Sequence, residues 1–248
     1  MIRAFRAALL IAAILAAWQL LFLYAGANAL TSPLDTIAYA IELLSSPRFY
    51  PHLLETAQAF AVALGIAISF GILIGFTLGL YRFAGDVGEP VLVALYSIPK
   101  ITLYPIVLLA FGIGMPAKIA FGAIHGIVPV AIFALGAVRN LNPIYVKAAR
   151  VMRLSPRQIA VRVLAPAAIP EIFTGIRIGF SLTLIGTLLG EMFASQRGIG
   201  HLLIQAIGLH NVRMIMALTL LLVVIAVTAS AALLAVDRRL RRNMLGAN

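Results

Sequence analysis

The chain has 248 residues, of which 62% are hydrophobic and only 11% are charged, and its mean hydropathy is +1.06. Soluble domains contain about 45–50% apolar and about 25% charged residues, so this composition excludes both a soluble globular fold and intrinsic disorder. The net charge is +11, and the absence of cysteine excludes disulfides and cysteine-ligated metals. The composition predicts an all-α, polytopic membrane protein with a single transmembrane domain over residues 1–248.

A membrane-spanning helix needs about 20 mostly apolar residues, and six stretches meet this requirement. Four of them contain no charged residue, whereas the third contains Lys100 and the fifth has Arg177 and Glu191 near its two ends. The predicted spans are 7–26, 56–81, 91–113, 119–138, 174–194 and 214–236.

The distribution of Lys and Arg between the loops predicts the orientation. With a cytoplasmic N-terminus, thirteen basic residues lie in inner segments and four in outer segments, namely Arg48, Lys118, Arg197 and Arg213. Both termini are therefore predicted to be cytoplasmic. Cleavage of the first span as a secretory signal is the alternative, but its apolar run is longer than the about 7–15 residues of such signals.

The outer segment after the first span contains a helix start, with Ser32 as N-cap, Pro33 at the first helical position and Asp35 in the first turn. We expect a short helix at the membrane surface, or a connector with an apolar underside. Its apolar face comprises Ile37, Ile41 and Leu44.

The inner loop 139–173 is too structured to be a simple connection. Asn142-Pro143 starts one helix, and Ser155-Pro156 starts a second with Gln158 in position to complete a capping box. The second helix is expected to break at Pro166. An exposed Ala148-Ala149 pair would let a partner approach closely, so we prefer a docking element over a loop that merely carries positive charge.

This loop resembles the EAA loop of binding-protein-dependent ABC importer permeases. Lys147-Ala148-Ala149 and, after a fixed gap, Val163-Leu164-Ala165-Pro166 carry the resemblance. Three positions depart from the family pattern: Lys147 replaces Glu, Arg153 replaces Gly, and Ala165 replaces Leu. A left-handed residue other than Gly costs about 1–2 kcal/mol, so a different turn geometry is expected at Arg153.

Other motifs, in the same order along the chain, look like those of the nitrate/sulfonate/taurine-type permeases. They are Ser97-Ile98-Pro99-Lys100 through Pro105, Phe111–Gly114, Gly190–Phe193 and Gly198–Gly200. Roughly residues 32–239 are covered. The resemblance implies a type I ABC importer fold with six transmembrane helices and a cytoplasmic two-helix coupling loop.

The resemblance also implies the function: a permease subunit that moves a small anionic solute, such as a sulfonate, nitrate or taurine, across the bacterial inner membrane. The implied partners are cytoplasmic ABC ATPase subunits, a periplasmic or lipid-anchored solute-binding protein, a second permease copy and membrane lipid, but no nucleic acid. No cofactor is expected in this chain, because it lacks the G-x-x-x-x-G-K-[ST] pattern and ATP and Mg would bind the ATPase. The implied coupling residues are Lys147, Ala148, Ala149, Arg150, Arg153, Ser155 and Pro166.

The alternatives are a stand-alone secondary transporter or channel, and an integral membrane enzyme. The first would need carboxylates inside the spans, and only Glu191 lies near one; the second would need clustered His, Asp or Glu at the inner ends. No catalytic or metal site is predicted. His125 is expected to be a packing residue, and His201 and His210 are placed in outer loops.

Polar residues in the spans suggest a translocation path. Its candidate residues are Lys100, Ser181, Thr183, Thr187 and Glu191. Lys100 lies between Pro99 and Pro105, which free backbone carbonyls and are expected to open the helix there. Snorkelling is an equal alternative to a path role for Lys100, and a hydrogen bond to the Gly198–Gly200 loop is preferred for Glu191. The glycine stripe of the second span is expected to pack within the subunit.

Overall fold

The computed structural model describes residues 2–245, which form helices and connections without a strand. A 3₁₀ turn (Lys100–Leu103) precedes α5, and a π-helical turn (Ala160–Leu164) joins α8 to α9. The helices are α1 (Ile2–Ala25), α2 (Pro33–Ser45), α3 (Tyr50–Leu80), α4 (Arg82–Ser97), α5 (Tyr104–Phe111), α6 (Met115–Arg139), α7 (Pro143–Val151), α8 (Pro156–Ile159), α9 (Ala165–Ala194), α10 (Ile199–Gly208) and α11 (Val212–Leu245).

Five helical segments are long and apolar enough to cross a membrane: Ala8–Ala25, Tyr50–Leu80, Met115–Arg139, Pro156–Phe193 and Val212–Leu240. The pair Arg82–Ser97 and Lys100–Phe111 forms a sixth if it is counted as one bent span. The all-α, polytopic membrane fold predicted from composition is confirmed.

The third predicted span is broken instead of straight, with an angle of 86° between its two halves. Ile98 adopts an extended conformation because the ring of Pro99 disfavours a helical residue before it. The Lys100 ammonium donates a hydrogen bond to the Tyr96 carbonyl oxygen at 3.1 Å, which caps the C-terminus of α4. The prolines therefore open the helix at Lys100, as the sequence suggested.

The expected helix break at Pro166 is wrong. The Ala165 N–H donates to the Ala160 carbonyl, five residues back, so the helix widens by one π turn and Pro166 follows in the first turn of α9. Because the first turn of a helix does not need the N–H that proline lacks, the helix continues. The helix that starts at Pro156 thus runs without a break to the end of α9.

The long helix α6 is the centre of the bundle, with α3 on one side and α9 on the other. Glycines permit both contacts. A Cβ atom built on Gly71 of α3 or on Gly179 of α9 would lie 2.6 Å from a side-chain carbon of Val130 on α6. The expected packing of the second-span glycine stripe within the subunit is confirmed, and the glycines of the fifth span pack in the same way.

The two ends of this bundle differ. At the end that carries α7 and α8, the loop end, Arg139 of α6 forms ion pairs with Asp86 and Glu89 of α4. At the opposite end, the α10 end, α2 and α10 pack around Ala40, Ile199 and Leu218. The predicted N-cap of α2 is confirmed, since Ser32 Oγ accepts from the Asp35 N–H at 3.1 Å.

Candidate coupling loop and transport path

The α7–α8 loop contains the two capped helix starts that the sequence predicted. Asn142 Oδ1 accepts a hydrogen bond from the Ile144 N–H at 3.0 Å. At the second start, Ser155 Oγ accepts from the Gln158 N–H at 3.3 Å, and Gln158 Oε1 accepts from the Ser155 N–H at 2.8 Å. The capping box is therefore complete, and both helix starts are fixed by local hydrogen bonds.

The turn after α7 keeps the left-handed geometry despite its arginine. Arg153 has φ +57°. Its N–H donates to the Arg150 carbonyl at 2.9 Å, and the Leu154 N–H donates to the Ala149 carbonyl at 3.1 Å. This is the Schellman pattern that usually has glycine at the left-handed position. The expected change of turn geometry at Arg153 is wrong, because the two hydrogen bonds hold the turn.

The expectation that Ala148 and Ala149 are both exposed is half wrong. Ala148 is exposed, but Ala149 retains only 3% of its exposure because it packs against Val138, Ile159 and Leu164. Its small side chain lets α7 lie close to α6 and α8. The expected pair of small exposed residues is therefore one exposed alanine and one core alanine.

Larger apolar side chains form the exposed surface instead. Val151 is 83% exposed and Met152 is 73% exposed at the end of α7. We call the exposed apolar residues of α7 and its C-cap the loop patch; they are Ile144, Tyr145, Ala148, Val151 and Met152. Exposed basic side chains accompany this patch on the same loop: Lys147, Arg150, Arg153, Arg157 and Arg162. Contiguous apolar surface of this kind marks interaction sites. Of the coupling residues implied by the resemblance, Ser155 and Pro166 are also exposed.

A buried charge cluster lies at the α10 end, and sequence reasoning missed it. Lys118 of α6, counted above as an outer-loop residue, is 0% exposed. Its ammonium donates to Glu55 Oε1 at 2.9 Å and to the Arg197 carbonyl at 3.0 Å, and it lies 3.9 Å from Glu191 Oε1. One cation thus joins α3, α6 and α9.

Glu191 holds the segment after α9 in place. Its carboxylate accepts hydrogen bonds at 2.9 Å from Thr56 Oγ1 and from the Gly200 N–H. Gly198 has φ +122°, and a Cβ atom there would overlap the Glu191 carboxylate, so only glycine fits. The hydrogen bond expected between Glu191 and the Gly198–Gly200 loop is confirmed.

A topological signal for this cluster was present in the sequence. Glu55, Lys118 and Glu191 each lie at an end of a predicted span, and the alternating directions of the spans place all three ends at one side of the membrane. Charges of opposite sign at one level of a helical bundle are expected to pair, because isolated charges in a membrane are costly.

Two further candidate path residues, Thr183 and Thr187, lie inside the bundle. Both are 0% exposed, and they face Gly126 and Gly122 of α6. Thr187 Oγ1 donates to the Thr183 carbonyl at 2.9 Å. Together with Glu191, these residues occupy helix contacts within the chain, so the structure does not bring them into an open path.

The remaining two candidates, Lys100 and Ser181, lie on accessible surface. Lys100 Nζ is 5.2 Å from the centre of the Tyr96 ring. Ser181 is exposed and lines a cleft of about 380 Å³ between α4, α9 and α11, which we call the Arg177 cleft. The lining residues are Tyr96, Arg177, Ile178, Ser181, Leu182 and Ser230. Tyr96 therefore connects Lys100 with the cleft.

The histidines occupy packing and turn positions. His125 is 9% exposed, its Nδ1 lies 2.8 Å from the Phe121 carbonyl oxygen, and its ring meets the Phe121 ring edge-on, which confirms the packing prediction. His201 stacks on His52 at 6.4 Å, and His210 occupies a left-handed position after α10. Over residues 2–245, no group of three His, Asp or Glu side chains has the spacing of a metal site.

A family profile described as binding-protein-dependent transport system inner membrane component matches residues 67–245, which is more than half of the chain. The chain belongs to this family. The permease is similar to the taurine transport system permease protein of Escherichia coli, with 29% identity over 191 residues, 77% of this chain and 70% of that protein. Its identity to the nitrate import permease protein of Synechocystis is 31% over 214 residues, 81% of this chain and 76% of that protein.

The permease is also similar to a putative aliphatic sulfonates transport permease protein of Bacillus subtilis, at 28% identity over 80% of this chain and 72% of that protein. Among solved structures, a chain of the inward-facing MetNI methionine ABC transporter matches with a TM-score of 0.64 and 20% identity, covering 79% of the permease and 99% of that chain. This match shows the shared fold. The permease is thus the multi-pass membrane subunit of a binding-protein-dependent ABC importer.

Proposed function

We propose that the permease imports a small anionic solute and that a separate ATPase drives it by docking on the loop patch. The observation that carries the docking proposal is the exposure of Val151 and Met152, 83% and 73%, at the tip of a loop fixed by two capped helix starts. Leaving such apolar side chains in water is unfavourable, and burying each in a partner cleft contributes about 1.5–3 kcal/mol. ATP and Mg would bind that ATPase and not this chain.

The anionic solute is proposed from the chemistry of the relatives and of the cleft. The relatives are named for taurine, nitrate and aliphatic sulfonates, all of which carry an anionic oxygen group. Arg177 belongs to the membrane-crossing segment Pro156–Phe193, and its side chain lines the Arg177 cleft. A solute-binding protein would deliver the solute to the α10 end.

A second copy of the permease is proposed to cover the face that carries Ser181 and Arg177. Side chains with hydroxyl and guanidinium groups are costly against lipid chains, so this face needs a protein or water neighbour. Two copies related by two-fold symmetry would enclose a path between them. Lipid would surround the rest of the bundle. Both termini and the loop patch would face the cytoplasm.

The docking proposal is tested by purifying the permease together with a co-expressed ABC ATPase subunit. Val151→Asp and Met152→Asp are each expected to reduce the bound ATPase at least about 30-fold, because a buried charge replaces a central apolar contact. Phe83→Asp is the matched control, since Phe83 is 83% exposed but lies at the start of α4, outside the loop patch. Wild-type retention of the ATPase by both loop variants would overturn the proposal.

The orientation is tested with single cysteines, because the chain contains none. Ser45→Cys in α2 and Ser155→Cys in the loop are both exposed positions. A membrane-impermeant maleimide applied to spheroplasts is expected to label the α2 cysteine and to label the loop cysteine only after lysis. The reverse pattern would contradict cytoplasmic termini.

A further inference from the structure

We propose that the Arg177 cleft binds the anionic oxygen group of the transported solute, with the Arg177 guanidinium as the principal ligand. The inference rests on the proposed function, and it assigns that function a binding residue and a solute chemistry. The cleft has room for a small organic anion, at about 380 Å³, and it lies between α4, α9 and α11.

The first observation is that Arg177 has unused donors. Its guanidinium carries five N–H donors, yet it donates no hydrogen bond to any residue within 2–245. Its one ion pair is loose: Arg177 Nη1 lies 3.6 Å from Asp237 Oδ2, beyond hydrogen-bond range. Arg177 lies near one end of the predicted fifth span, where an arginine either reaches the membrane interface or serves a partner or a polar cavity. Its side chain remains 35% exposed, so a ligand can reach it.

The second observation is the set of hydroxyl groups around the guanidinium. Tyr96, Ser181 and Ser230 come from three different helices and line the same cleft. Their hydroxyls make no hydrogen bond within the described part of the chain, although Thr228 on the same helix as Ser230 bonds back to the Val224 carbonyl. A guanidinium with several hydroxyls suits a sulfonate or nitrate, because the planar fork binds two oxygens and the hydroxyls donate to the others.

Asp237 gives the site a mechanism for release. It is 6% exposed and faces Arg177 from α11. While a solute anion occupies the guanidinium, the carboxylate and the anion compete for the same cation. Approach of Asp237 to hydrogen-bond distance would displace the anion, whereas its present 3.6 Å separation leaves the guanidinium available. Lys100 Nζ, beside Tyr96, supplies a second positive charge along the same surface.

The test measures the charge preference of the cleft directly. Ser181→Cys places a thiol in the cleft, and its rates of modification by anionic sulfonatoethyl and cationic trimethylammonioethyl methanethiosulfonate are compared in nanodiscs. The ratio of the anionic to the cationic modification rate is expected to be about tenfold higher at Ser181→Cys than at Ser45→Cys, an exposed position in α2. Arg177→Gln should remove this preference.

Arg177→Gln also removes a positive charge 3.6 Å from the Asp237 carboxylate, so the effect of Arg177→Gln is measured again in an Asp237→Asn background. Asp237→Asn alone should keep the anion preference, and Asp237→Asn with Arg177→Gln should lose it. An equal anion preference in Asp237→Asn with and without Arg177→Gln would overturn the proposal and assign Arg177 to the ion pair only.

A lipid headgroup is the other source of an anionic oxygen group. Free methanesulfonate is expected to protect the Ser181→Cys thiol in phosphatidylcholine nanodiscs. Protection by phosphatidylglycerol, with none by methanesulfonate, would overturn the solute assignment. Because this labelling needs neither ATPase nor transport, its failure is distinguishable from failure of the docking experiment, which concerns the loop patch of α7.

Discussion

The buried cluster around Lys118 provides the sharpest stability prediction. Lys118→Met removes a cation that is 0% exposed and leaves Glu55 and Glu191 facing each other without it. Removing one partner of a buried ion pair costs about 3–5 kcal/mol, because the remaining charge stays desolvated. With about 2–4 °C per kcal/mol for a chain of this size, the thermal midpoint should fall by roughly 6–20 °C.

The chain offers a matched control for this lysine. Lys100 also lies in a membrane-crossing segment, but its ammonium makes one hydrogen bond, to the Tyr96 carbonyl, and is partly exposed. Lys100→Met should therefore cost only about 0.5–1.5 kcal/mol. Both midpoints are measured by circular dichroism on purified protein in one detergent. Equal losses for the two lysines would refute the argument from burial.

A double variant separates charge pairing from packing. Glu191→Gln keeps the shape of the side chain but removes its charge, so Lys118→Met with Glu191→Gln leaves only Glu55, which is 26% exposed and can be hydrated. The double variant should therefore be more stable than Lys118→Met alone. Strictly additive losses would show that Lys118 and Glu191 do not interact, despite their 3.9 Å separation.

Three further predictions concern single positions. Arg153→Gly should raise stability by about 1 kcal/mol, since glycine accepts φ +57° without strain, while Arg153→Ala should not, as thermal unfolding can show. Gly75→Ala should cost about 1–3 kcal/mol, because the new Cβ would overlap the Ala131 carbonyl. Gly65→Ala, whose new Cβ would have no atom within 4 Å, should be neutral or stabilising in the same thermal unfolding measurement. Lys147→Glu should weaken ATPase binding if the partner presents an acidic group to this exposed lysine; unchanged affinity in a pull-down would eliminate that acid.

Local sequence signals predicted local structure well. The caps at Ser32, Asn142 and Ser155 depend on side chains that bond to backbone two or three residues away, so the spacing alone determines them. The opening of the third span at Pro99 is equally local, because a proline constrains the residue before it. Such features do not depend on which helices are neighbours.

The errors arose where neighbours decide the outcome. Ala149 was expected on the surface as half of an exposed alanine pair on a docking element, but α6 and α8 cover it. Pro166 was expected to end a helix, and one widened turn avoids that consequence. Lys118 was counted as a loop charge because no local sequence pattern shows its pairing. Its partners Glu55 and Glu191 lie 63 and 73 residues away along the chain.

The continuous helix from Pro156 to Phe193 connects the features described above. Its 38 residues extend about 57 Å, with the loop at its start, Arg177 inside it and Glu191 near its far end. Because the helix does not break at Pro166, a force applied by an ATPase at the loop would reach the Arg177 cleft along one continuous helix, which includes the π turn and Pro170. Replacing Arg162 and Val163 by glycine would introduce a flexible hinge at about 1 kcal/mol per residue, whereas replacing both by alanine removes the same side chains and keeps the helix. The glycine pair should therefore hydrolyse ATP without importing solute, and the alanine pair should still import; identical transport by the two pairs would show that the helix does not transmit the movement.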